Sequence, residues 1–411
     1  MHDIDFAPLL IITALAFFIP IITIHIKGIN IPVIVGEIIC GIIIGKSGFD
    51  IVHPGPWLNF LSIFGFTFLM FLSGMEIDLS FLKKKPQKVC IIDDQSEERC
   101  HDPFILGGKI FLLTLVASLA LSFMFFKVGL IGDPVFLALI LSTTSVGIVV
   151  PTLRELGIST RIFGQDILFS SLVADFMTML FITVYVAKIS TGLSFDLLLI
   201  LLIFIIFIVA YWLSHYLLEK PVTVKILEKP GMLKAEIKTR AAFAIMIAFI
   251  VLSQKIGIEI ILGAFLAGFL ISMLSAETDL KLLHDKLNAV GFGFFIPVFF
   301  IMVGVRFELR PLIENPKNLI LLPVILVAAY LVKILPCLAL KKHYSKKNAL
   351  AAGVLLSSRL TLIIAAADIG MSLNVITPAI YSAVILVAVI SSTISPILFY
   401  KMEDISAISK N

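Results

Sequence analysis

Long apolar segments separated by short polar stretches run through all 411 residues of the chain. A helix that crosses a bilayer needs about 20 mostly apolar residues. Prolines at Pro20, Pro151, Pro297 and Pro396 predict kinks or breaks in these helices. The pattern predicts an all-α polytopic membrane protein with about 13 transmembrane helices. Their approximate bounds are 6–26, 30–45, 57–80, 104–127, 134–154, 162–188, 195–218, 238–255, 258–275, 288–305, 318–341, 346–370 and 374–400.

Composition supports this class. The chain is 59% hydrophobic and 15% charged, whereas soluble domains are about 45–50% apolar. The net charge of +4 comes from basic residues in short loops beside apolar spans, so we expect no nucleic acid partner. Cys40 and Cys337 lie in apolar spans, and Cys90 and Cys100 share one loop, so no disulfide framework is expected. The stretch from Cys90 to His101 fits no zinc pattern and is interpreted as a solvated cytoplasmic loop.

Basic residues are divided unequally between the two sides of the bilayer. With the N-terminus outside, the outer loops contain seven of the 32 Lys and Arg residues, two lie within spans, and 23 lie inside. The seven outer residues are Lys46, Lys127, Lys188, Lys255, Arg306, Arg310 and Lys317. Because cytoplasmic loops carry the excess of basic residues, we expect the N-terminus outside and the C-terminus in the cytoplasm, in a plasma (inner) membrane. An odd number of spans is consistent with this orientation.

Asp175 interrupts the sixth apolar segment near its middle. Only apolar or small polar residues surround it from Ile167 to Ala187. A carboxylate at that depth is energetically expensive, so Asp175 is a candidate functional residue. Ser171 lies four residues earlier on the same helix face and offers a second oxygen. The alternative is a buried aspartate that is paired with a basic residue for packing alone.

A run of small hydroxyl residues, Leu141-Ser-Thr-Thr-Ser-Val-Gly147, lies in the fifth segment. Such residues form helix poorly, so the run predicts a break near the midplane. Hydroxyl groups of Thr143 and Thr144, together with freed carbonyl groups, are then candidates for an oxygen cage around a small cation. The alternative is helix–helix packing through small residues.

The chain also repeats itself weakly, and the matching motifs lie seven segments apart. An odd shift places the two copies in opposite membrane orientations, which is typical of transporters. We therefore predict inverted five-helix repeats, segments 2–6 and 9–13, with crossed and broken helices 5 and 12. The matched stretches are Gly36–Gly41 with Gly263–Gly268, Gly74–Leu79 with Gly304–Leu309, and Leu141–Thr144 with Leu356–Arg359.

Four further charged groups lie within the predicted spans. Lys333 and Arg359 are predicted to balance the negative ends of the half-helices where segments five and twelve cross; a snorkelling side chain is the alternative for Lys333. Glu37 lies about 10 Å from the cytoplasmic end of its span, and either lines an inner funnel or pairs within a helix interface. Asp368 is interpreted as a solvated helix end.

An isolated aspartate in a pore binds a cation when it is ionised and a proton when it is neutral, but not both. That competition is sufficient for exchange of H⁺ against Na⁺ or K⁺ at Asp175. Oxygen ligands suit such hard cations, and no Cys/His cluster indicates a transition metal. We expect no cofactor apart from the transported ions, and no enzymatic activity.

Three stretches carry a resemblance to a known family: Pro32–Gly45, Phe71–Leu79 and Leu262–Gly268. They resemble the monovalent cation:proton antiporter-2 family, which contains Nap-type Na⁺/H⁺ and Kef-type K⁺/H⁺ antiporters. The resemblance implies a homodimer and elevator-type alternating access. It implies a dimerisation subdomain (about 1–82 and 236–306), a core subdomain (about 104–188 and 316–400) and a linker helix (about 195–218).

The resemblance also assigns site positions. Electrogenic members have two adjacent acids in segment six, where this chain has Ala174 and then Asp175, so the resemblance favours electroneutral exchange. Lys333 matches the family's lysine, and Ser171 and Thr144 match positions of cation-ligating oxygens.

Segment twelve departs from the family pattern. After Arg359, many members have a glycine and a glutamate, whereas this chain has Leu360 and Thr361. The chain stops at Asn411, so we expect no C-terminal nucleotide-binding domain. The leading hypothesis is a Na⁺/H⁺ antiporter that serves pH homeostasis. The alternatives are a K⁺/H⁺ antiporter, a sodium-coupled organic anion symporter of related fold, and a sensor that transports nothing.

Overall fold

The structure is a computed structural model that describes residues 6–25, 32–75, 89–92, 98–159, 161–191, 193–218, 232–256, 260–274, 277–314 and 316–402. The first half of the chain forms α1 (Ala7–His25), α2 (Val33–Ile44), α3 (Pro56–Met75), β1 (Val89–Ile92), β2 (Glu98–His101), α4 (Pro103–Lys127), α5 (Pro134–Ser142), α6 (Val146–Glu155), α7 (Ile162–Thr191) and α8 (Leu193–Leu218).

In the second half, the regular elements of the described ranges are all helical. It forms α9 (Met232–Ile256), α10 (Ile260–Leu274), α11 (Glu277–Val290), a π-helical turn (Gly291–Phe295), α12 (Ile296–Arg306), α13 (Arg310–Ile313), α14 (Pro316–Leu319), α15 (Leu321–Cys337), a 3₁₀ turn (Leu338–Lys342), α16 (Lys346–Leu356), α17 (Thr361–Ser372) and α18 (Pro378–Met402).

The predicted helical membrane fold is confirmed, and every predicted span falls on a helix. Among the described residues, seven helical spans are long and apolar enough to cross a membrane by themselves, and the bent pair α16 and α17 makes an eighth. Four more apolar helices are 10–17 residues long. Length and composition therefore support eight of the 13 predicted spans, and the full number remains a prediction.

One segment differs from the predicted all-helical structure. The stretch from Cys90 to His101 was expected to be a loop, but β1 and β2 pair there as an antiparallel hairpin, with Cys90 opposite Cys100. The apolar run of β1 is only four residues long and is flanked by charged residues, so the sequence pattern did not predict a strand there.

The chain divides into two compact units. The first consists of Met1–Pro54, Pro86–Ile182 and Val303–Asn411, and the second of Gly55–Lys85 and Thr183–Met302. The predicted division into dimerisation and core subdomains has different bounds and remains a prediction.

The first unit contains both broken helices. A buried apolar cluster joins α4, α6, α7, α15, α16 and α18, with Phe163, Leu153 and Phe399 among its members. Close approach of α16 to α15 requires Gly353, because a Cβ there would lie 2.7 Å from the Cα of Ile334. Small residues of this kind let membrane helices pack backbone against backbone.

In the second unit α10 packs against α3, and two glycines permit the contact. A Cβ at Gly268 would collide with the carbonyl oxygen of Phe71, and one at Gly74 with that of Phe265. These glycines belong to two of the motifs noted in the sequence. Their packing role accounts for the spacing without any role in chemistry.

Candidate cation site at the helix crossing

Two helices of the first unit are interrupted where the sequence predicted breaks. The first is interrupted by Thr143, Thr144 and Ser145, between α5 and α6. The second changes direction by 45° between α16 and α17, across residues 357–360. The first of these helices begins at an ordinary N-terminal cap. Asp133 accepts a hydrogen bond from the amide of Phe136 at 2.8 Å, and Pro134 is the first residue of α5. The breaks therefore belong to the middle of the spans and leave backbone groups unpaired there.

The two breaks touch each other. The amide of Ser145 donates to the carbonyl oxygen of Ser358 at 3.0 Å. The hydroxyl of Thr144 donates to the carbonyl oxygen of Leu356 at 3.2 Å. Two carbonyl groups freed at the end of α16 thus find partners in the first break. The crossing of the two broken helices is a direct contact between their interrupted backbones.

Lys333 of α15 binds the C-terminal end of α5. Its ammonium donates to the carbonyl oxygen of Ser142 at 2.7 Å and to Oγ1 of Thr144 at 2.6 Å, and the side chain is 2% exposed. A helix C-terminus carries a partial negative charge, and an ammonium placed there is stabilised. The side chain therefore does not snorkel to the surface.

Arg359 binds the ends of both interrupted helices. Its guanidinium donates to the carbonyl oxygen of Leu141, at the end of α5, at 2.7 Å. It also donates to the carbonyl oxygen of Ser357, just after α16, at 3.2 Å. The side chain is completely buried. Two basic side chains thus occupy the two negative helix ends of the crossing.

Asp175 lies near the middle of α7, half-buried and beside this crossing. Lys333 interacts electrostatically with its carboxylate. One turn further along α7, the hydroxyls of Thr178 and Ser142 lie 3.3 Å apart, which places the end of α5 against the α7 face next to Asp175. Ser171 lies one turn before Asp175 and is completely buried. The structure thus places the contacting pair of Thr144 and Lys333 beside Asp175, with Ser171 one turn earlier on α7.

The hydroxyl groups at this level differ in what they offer a cation. Ser171 donates its proton to the carbonyl oxygen of Leu168 at 2.7 Å, and Thr143 donates to that of Ile140 at 2.8 Å. A hydroxyl that donates in this way keeps its oxygen lone pairs available for a cation. Thr144 also donates to a carbonyl, but its oxygen already accepts from Lys333. A cation at Thr144 must therefore compete with the lysine.

Two other predicted acids lie elsewhere. Glu37, in α2, is 3% exposed and has no hydrogen bond or ion pair within the described part of the chain. The structure does not place it with Asp175, and its funnel role remains a prediction. Asp368 was expected to be solvated, but it is half-buried and accepts a hydrogen bond from the phenol of Tyr381 at 2.9 Å. The turn after α17 brings α18 back against the helix end, which shields it.

A second buried acid of α7 was missed by sequence reasoning. Asp166 is 1% exposed and accepts a hydrogen bond from the phenol of Tyr344 at 2.5 Å. Burial, followed by the charge of Asp166, raises the pKa of Tyr344 well above its usual value. This bond ties α7 to the short segment between α15 and α16. Thr178 and Ser142 were also missed, although Thr178 lies three residues after Asp175, at helical spacing.

Comparison with known proteins gives consistent matches over almost the whole chain. Residues 13–400 match the family model described as "Sodium/hydrogen exchanger, transmembrane". The putative Na⁺/H⁺ antiporter YjbQ of Bacillus subtilis is 40% identical over 98% of this chain, which spans 64% of that relative's length. The probable Na⁺/H⁺ antiporter 3 of Methanocaldococcus jannaschii is 32% identical over 94% of each chain.

A solved structure has the same fold. The sodium proton antiporter MjNhaP1 from Methanocaldococcus jannaschii matches with a TM-score of 0.64 and 16% identity, over 95% of this chain and 94% of that one. The finer assignment to the antiporter-2 family remains a prediction. The family match over residues 13–400 and the 32% identity along both full lengths establish the broader relationship: the chain belongs to the sodium/hydrogen exchanger family of multi-pass integral membrane proteins.

Proposed function

We propose that this protein is a Na⁺/H⁺ antiporter in which Asp175 carries the cation and the proton in alternation. The observation that carries the proposal is the position of one half-buried carboxylate beside two broken helices that meet at mid-span. Transport sites of inverted-repeat transporters lie at such places. Relatives named as Na⁺/H⁺ antiporters and the shared fold support it.

The exchange cycle follows from the charges. Ionised Asp175 attracts Na⁺, and Ser171 completes part of its oxygen shell after the cation has lost water. Protonated Asp175 no longer attracts a cation, so each ion displaces the other. Lys333 holds Thr144 when the site contains no cation. Cation entry repels the ammonium and releases the Thr144 oxygen as a further ligand, with Thr143 beside it.

Lys333 and Arg359 keep the crossing intact through this cycle. Carbonyl groups at the ends of α5 and α16 carry partial negative charge that hydrocarbon cannot solvate. The two basic side chains donate to Leu141, Ser142 and Ser357 and neutralise that charge. In this proposal they are positioning residues and do not carry ions.

Stoichiometry, assembly and orientation complete the proposal. With Ala174 beside Asp175, one carboxylate exchanges one cation for one proton, so turnover is electroneutral. The protein is a non-enzymatic exchanger of the antiporter-2 type, a homodimer that works by an elevator motion. Its N-terminus is outside and its C-terminus is in the cytoplasm. An impermeant thiol reagent then labels Cys90 and Cys100 only after intact cells are permeabilised; labelling of intact cells contradicts the orientation.

The direct test measures proton flux in proteoliposomes after addition of Na⁺ or K⁺. Wild type should move protons in response to Na⁺. Asp175→Asn keeps the side-chain shape but cannot titrate, so it should abolish exchange while the protein remains folded. Asp368→Asn is the matched control, since this half-buried acid lies away from the crossing, and it should retain exchange. Robust exchange by Asp175→Asn refutes the proposal.

Ion choice is settled in the same assay. A relative named Na⁺/H⁺-K⁺ antiporter, GerN of Bacillus cereus, is 25% identical to this chain, so K⁺ is included as a second substrate. Proton flux with K⁺ but not Na⁺ identifies a K⁺/H⁺ antiporter. Flux that requires an added organic anion identifies a symporter, and absence of flux with every ion identifies a protein that does not transport.

A further inference from the structure

The crossing has two positive helix ends as well as two negative ones. α6 begins at Val146 and α17 begins at Thr361, both at mid-span. Neither helix has an acidic residue in its first turn, and Leu360 supplies no side-chain cap to α17. Each helix N-terminus carries a partial charge of about +0.5. Lys333 and Arg359 match the negative ends, so nothing comparable matches these positive ends within the described residues.

Several backbone amides in the first turns of α17 and α6 have no hydrogen-bond acceptor. The amides of Thr361, Leu362 and Ile363 have no acceptor among the hydrogen bonds of the described chain, although the residues are 7%, 3% and 1% exposed. In α6, the amides of Ile148 and Val149 are satisfied by the carbonyl oxygen of Ser145, at 3.2 and 3.1 Å, whereas those of Val146 and Gly147 have no acceptor among the hydrogen bonds of the described chain. Buried amides without partners cost free energy comparable to a lost hydrogen bond.

A side-chain donor lies at the same place. Ser145 is completely buried, and its hydroxyl has no hydrogen-bond partner in the described structure. That hydroxyl lies over the first turn of α6, since a Cβ at Gly147 would find Ser145 Oγ 3.9 Å away and nothing else within 4 Å outside the adjoining residues and the backbone of its own helix. Gly147 itself is exposed. An orphan donor therefore stands beside open, reachable space at a positive helix end.

The charged side chains at the crossing also favour an anion site. They are Lys333, Arg359 and Asp175, two basic groups and one acid. With one acid against two basic groups, these described side chains leave the crossing with a net positive charge. Helix N-termini with free amides are anion sites. A water molecule would satisfy the amides but would leave the charge uncompensated.

We propose that a small inorganic anion, chloride under ordinary conditions, binds at the N-termini of α6 and α17. The free first-turn amides, those of Thr361, Leu362 and Ile363 in α17 above all, and the hydroxyl of Ser145 hold it. A monatomic halide suits a site that is made of N–H and O–H donors around a narrow turn. The anion stabilises the crossing and is not transported. This site goes beyond the proposed function, and it stands whichever cation the protein exchanges.

The first experiment measures thermal stability of the purified protein at constant Na⁺, with chloride exchanged for gluconate. A ligand that binds only the folded state stabilises it in proportion to RT ln(1 + [L]/Kd). The unfolding temperature should rise saturably with chloride and with bromide, but not with gluconate. An unfolding temperature that is equal in chloride and gluconate overturns the proposal. Because this readout needs no transport, it stays informative if the exchange assay fails.

Matched variants separate the site from general salt effects. Thr361→Glu places a carboxylate in the first turn of α17, where it replaces the anion, so this variant should lose the chloride response. Thr361→Gln has similar size and no charge and should keep it. Ser145→Ala should raise the half-saturating chloride concentration. A chloride response that is the same in Thr361→Glu and Thr361→Gln is a non-specific salt effect and overturns the site.

Exchange rates give a second readout. Because the anion stabilises the crossing beside which the cation binds, replacing chloride by gluconate should slow Na⁺-driven proton flux by about tenfold. Thr361→Glu should be equally fast in both salts. Chloride-dependent stability without any exchange would refute the proposed function and leave the anion site standing. Exchange without any chloride dependence of rate or stability would refute the anion site and leave the proposed function standing.

Discussion

Lys333 donates a hydrogen bond to Thr144, with 2.6 Å between Nζ and Oγ1, in the break between α5 and α6. The same ammonium donates to the carbonyl oxygen of Ser142 at the end of α5. One buried lysine therefore neutralises a helix end and, in the proposed cycle, also occupies an oxygen that the cation would use. The proposed site is thus closed by its own positive charge until a cation arrives.

Replacing this lysine should change the pH dependence of exchange. Lys333→Gln removes a positive charge that favours ionised Asp175, so the protonated form should persist to higher pH. A neighbouring opposite charge shifts such an equilibrium by about one pH unit or more, so the pH of half-maximal exchange should rise by about that much. The measurement is initial proton flux between pH 6 and 9 in proteoliposomes.

Lys341→Gln is the matched control, because Lys341 is exposed near the end of the same span. Its pH profile should equal that of wild type. If Lys333→Gln also equals wild type, both in pH profile and in unfolding temperature, the lysine has neither of the two tasks.

Ser171 should affect cation affinity more than maximal rate. Ser171→Ala removes one neutral oxygen, while the proton carrier Asp175 stays in place. Loss of a neutral ligand of this strength costs about 1 kcal/mol, so the Na⁺ concentration of half-maximal exchange should rise about fivefold with little change in maximal rate. The measurement is Na⁺-dependent proton flux at saturating pH.

Ser170→Ala is the control for this variant. Ser170 is buried at the preceding position of α7, about 100° round the helix, and donates to the carbonyl oxygen of Asp166 at 2.7 Å. It should leave the Na⁺ dependence unchanged. Equal effects of the two substitutions would show that Ser171 acts through packing and is no ligand.

The bond between Tyr344 and Asp166 should contribute to stability. Tyr344→Phe leaves a buried carboxylate without this donor, and a hydrogen bond to a charged group contributes about 1.5–3 kcal/mol. Tyr330→Phe removes a neutral bond to Ser395 at 2.9 Å and should cost less. The measurement is the unfolding temperature of the purified proteins. Equal loss in the two variants would mean that the bond to Asp166 has no special strength.

The pH dependence of this contribution has a definite sign. Burial, then the charge of Asp166, raises the pKa of the Tyr344 phenol above its ordinary value of about 10. The phenol is therefore protonated and the contribution fully present below pH 10, and it declines only as pH rises further. The difference between wild type and Tyr344→Phe should be constant from pH 6 to 9. A difference that disappears within that range contradicts the assignment.

The sequence was most informative where a residue conflicted with its surroundings. Asp175 in an apolar helix and the hydroxyl run at Thr143 and Thr144 are local conflicts, and both predict function without knowledge of the fold. Lys333 and Arg359 were identified for the same reason. Their partners were not predictable, because backbone carbonyl oxygens such as that of Leu141 have no signature in the sequence.

The sequence-based predictions were wrong where segments distant in the sequence determine a residue's surroundings. Asp368 lies at a helix end and was predicted to be solvated, but Tyr381 on the following helix reaches back to it. Tyr344 lies in a short polar connection and gave no reason to expect a partner on α7. The hairpin at Cys90 and Cys100 depends on pairing between two strands of four residues, for which local pattern is weak.

Transport by one carboxylate should not depend on membrane potential. In the proposed cycle Asp175 exchanges one cation for one proton, so no net charge crosses, and Ala174 provides no second titrating group. Initial Na⁺-driven proton flux should be equal at zero potential and at about 100 mV imposed by a K⁺ gradient with valinomycin. One net charge would change the driving force by about 2.3 kcal/mol, or about fiftyfold in the equilibrium, which the assay would detect.

A clear dependence on potential would show that a second group carries a proton. Lys333 is the candidate, because it is a buried titratable side chain that interacts with Asp175. Lys333→Gln would then have to abolish the dependence while exchange continued. If the dependence persisted in that variant, neither Asp175 alone nor its pair with Lys333 would account for the transport.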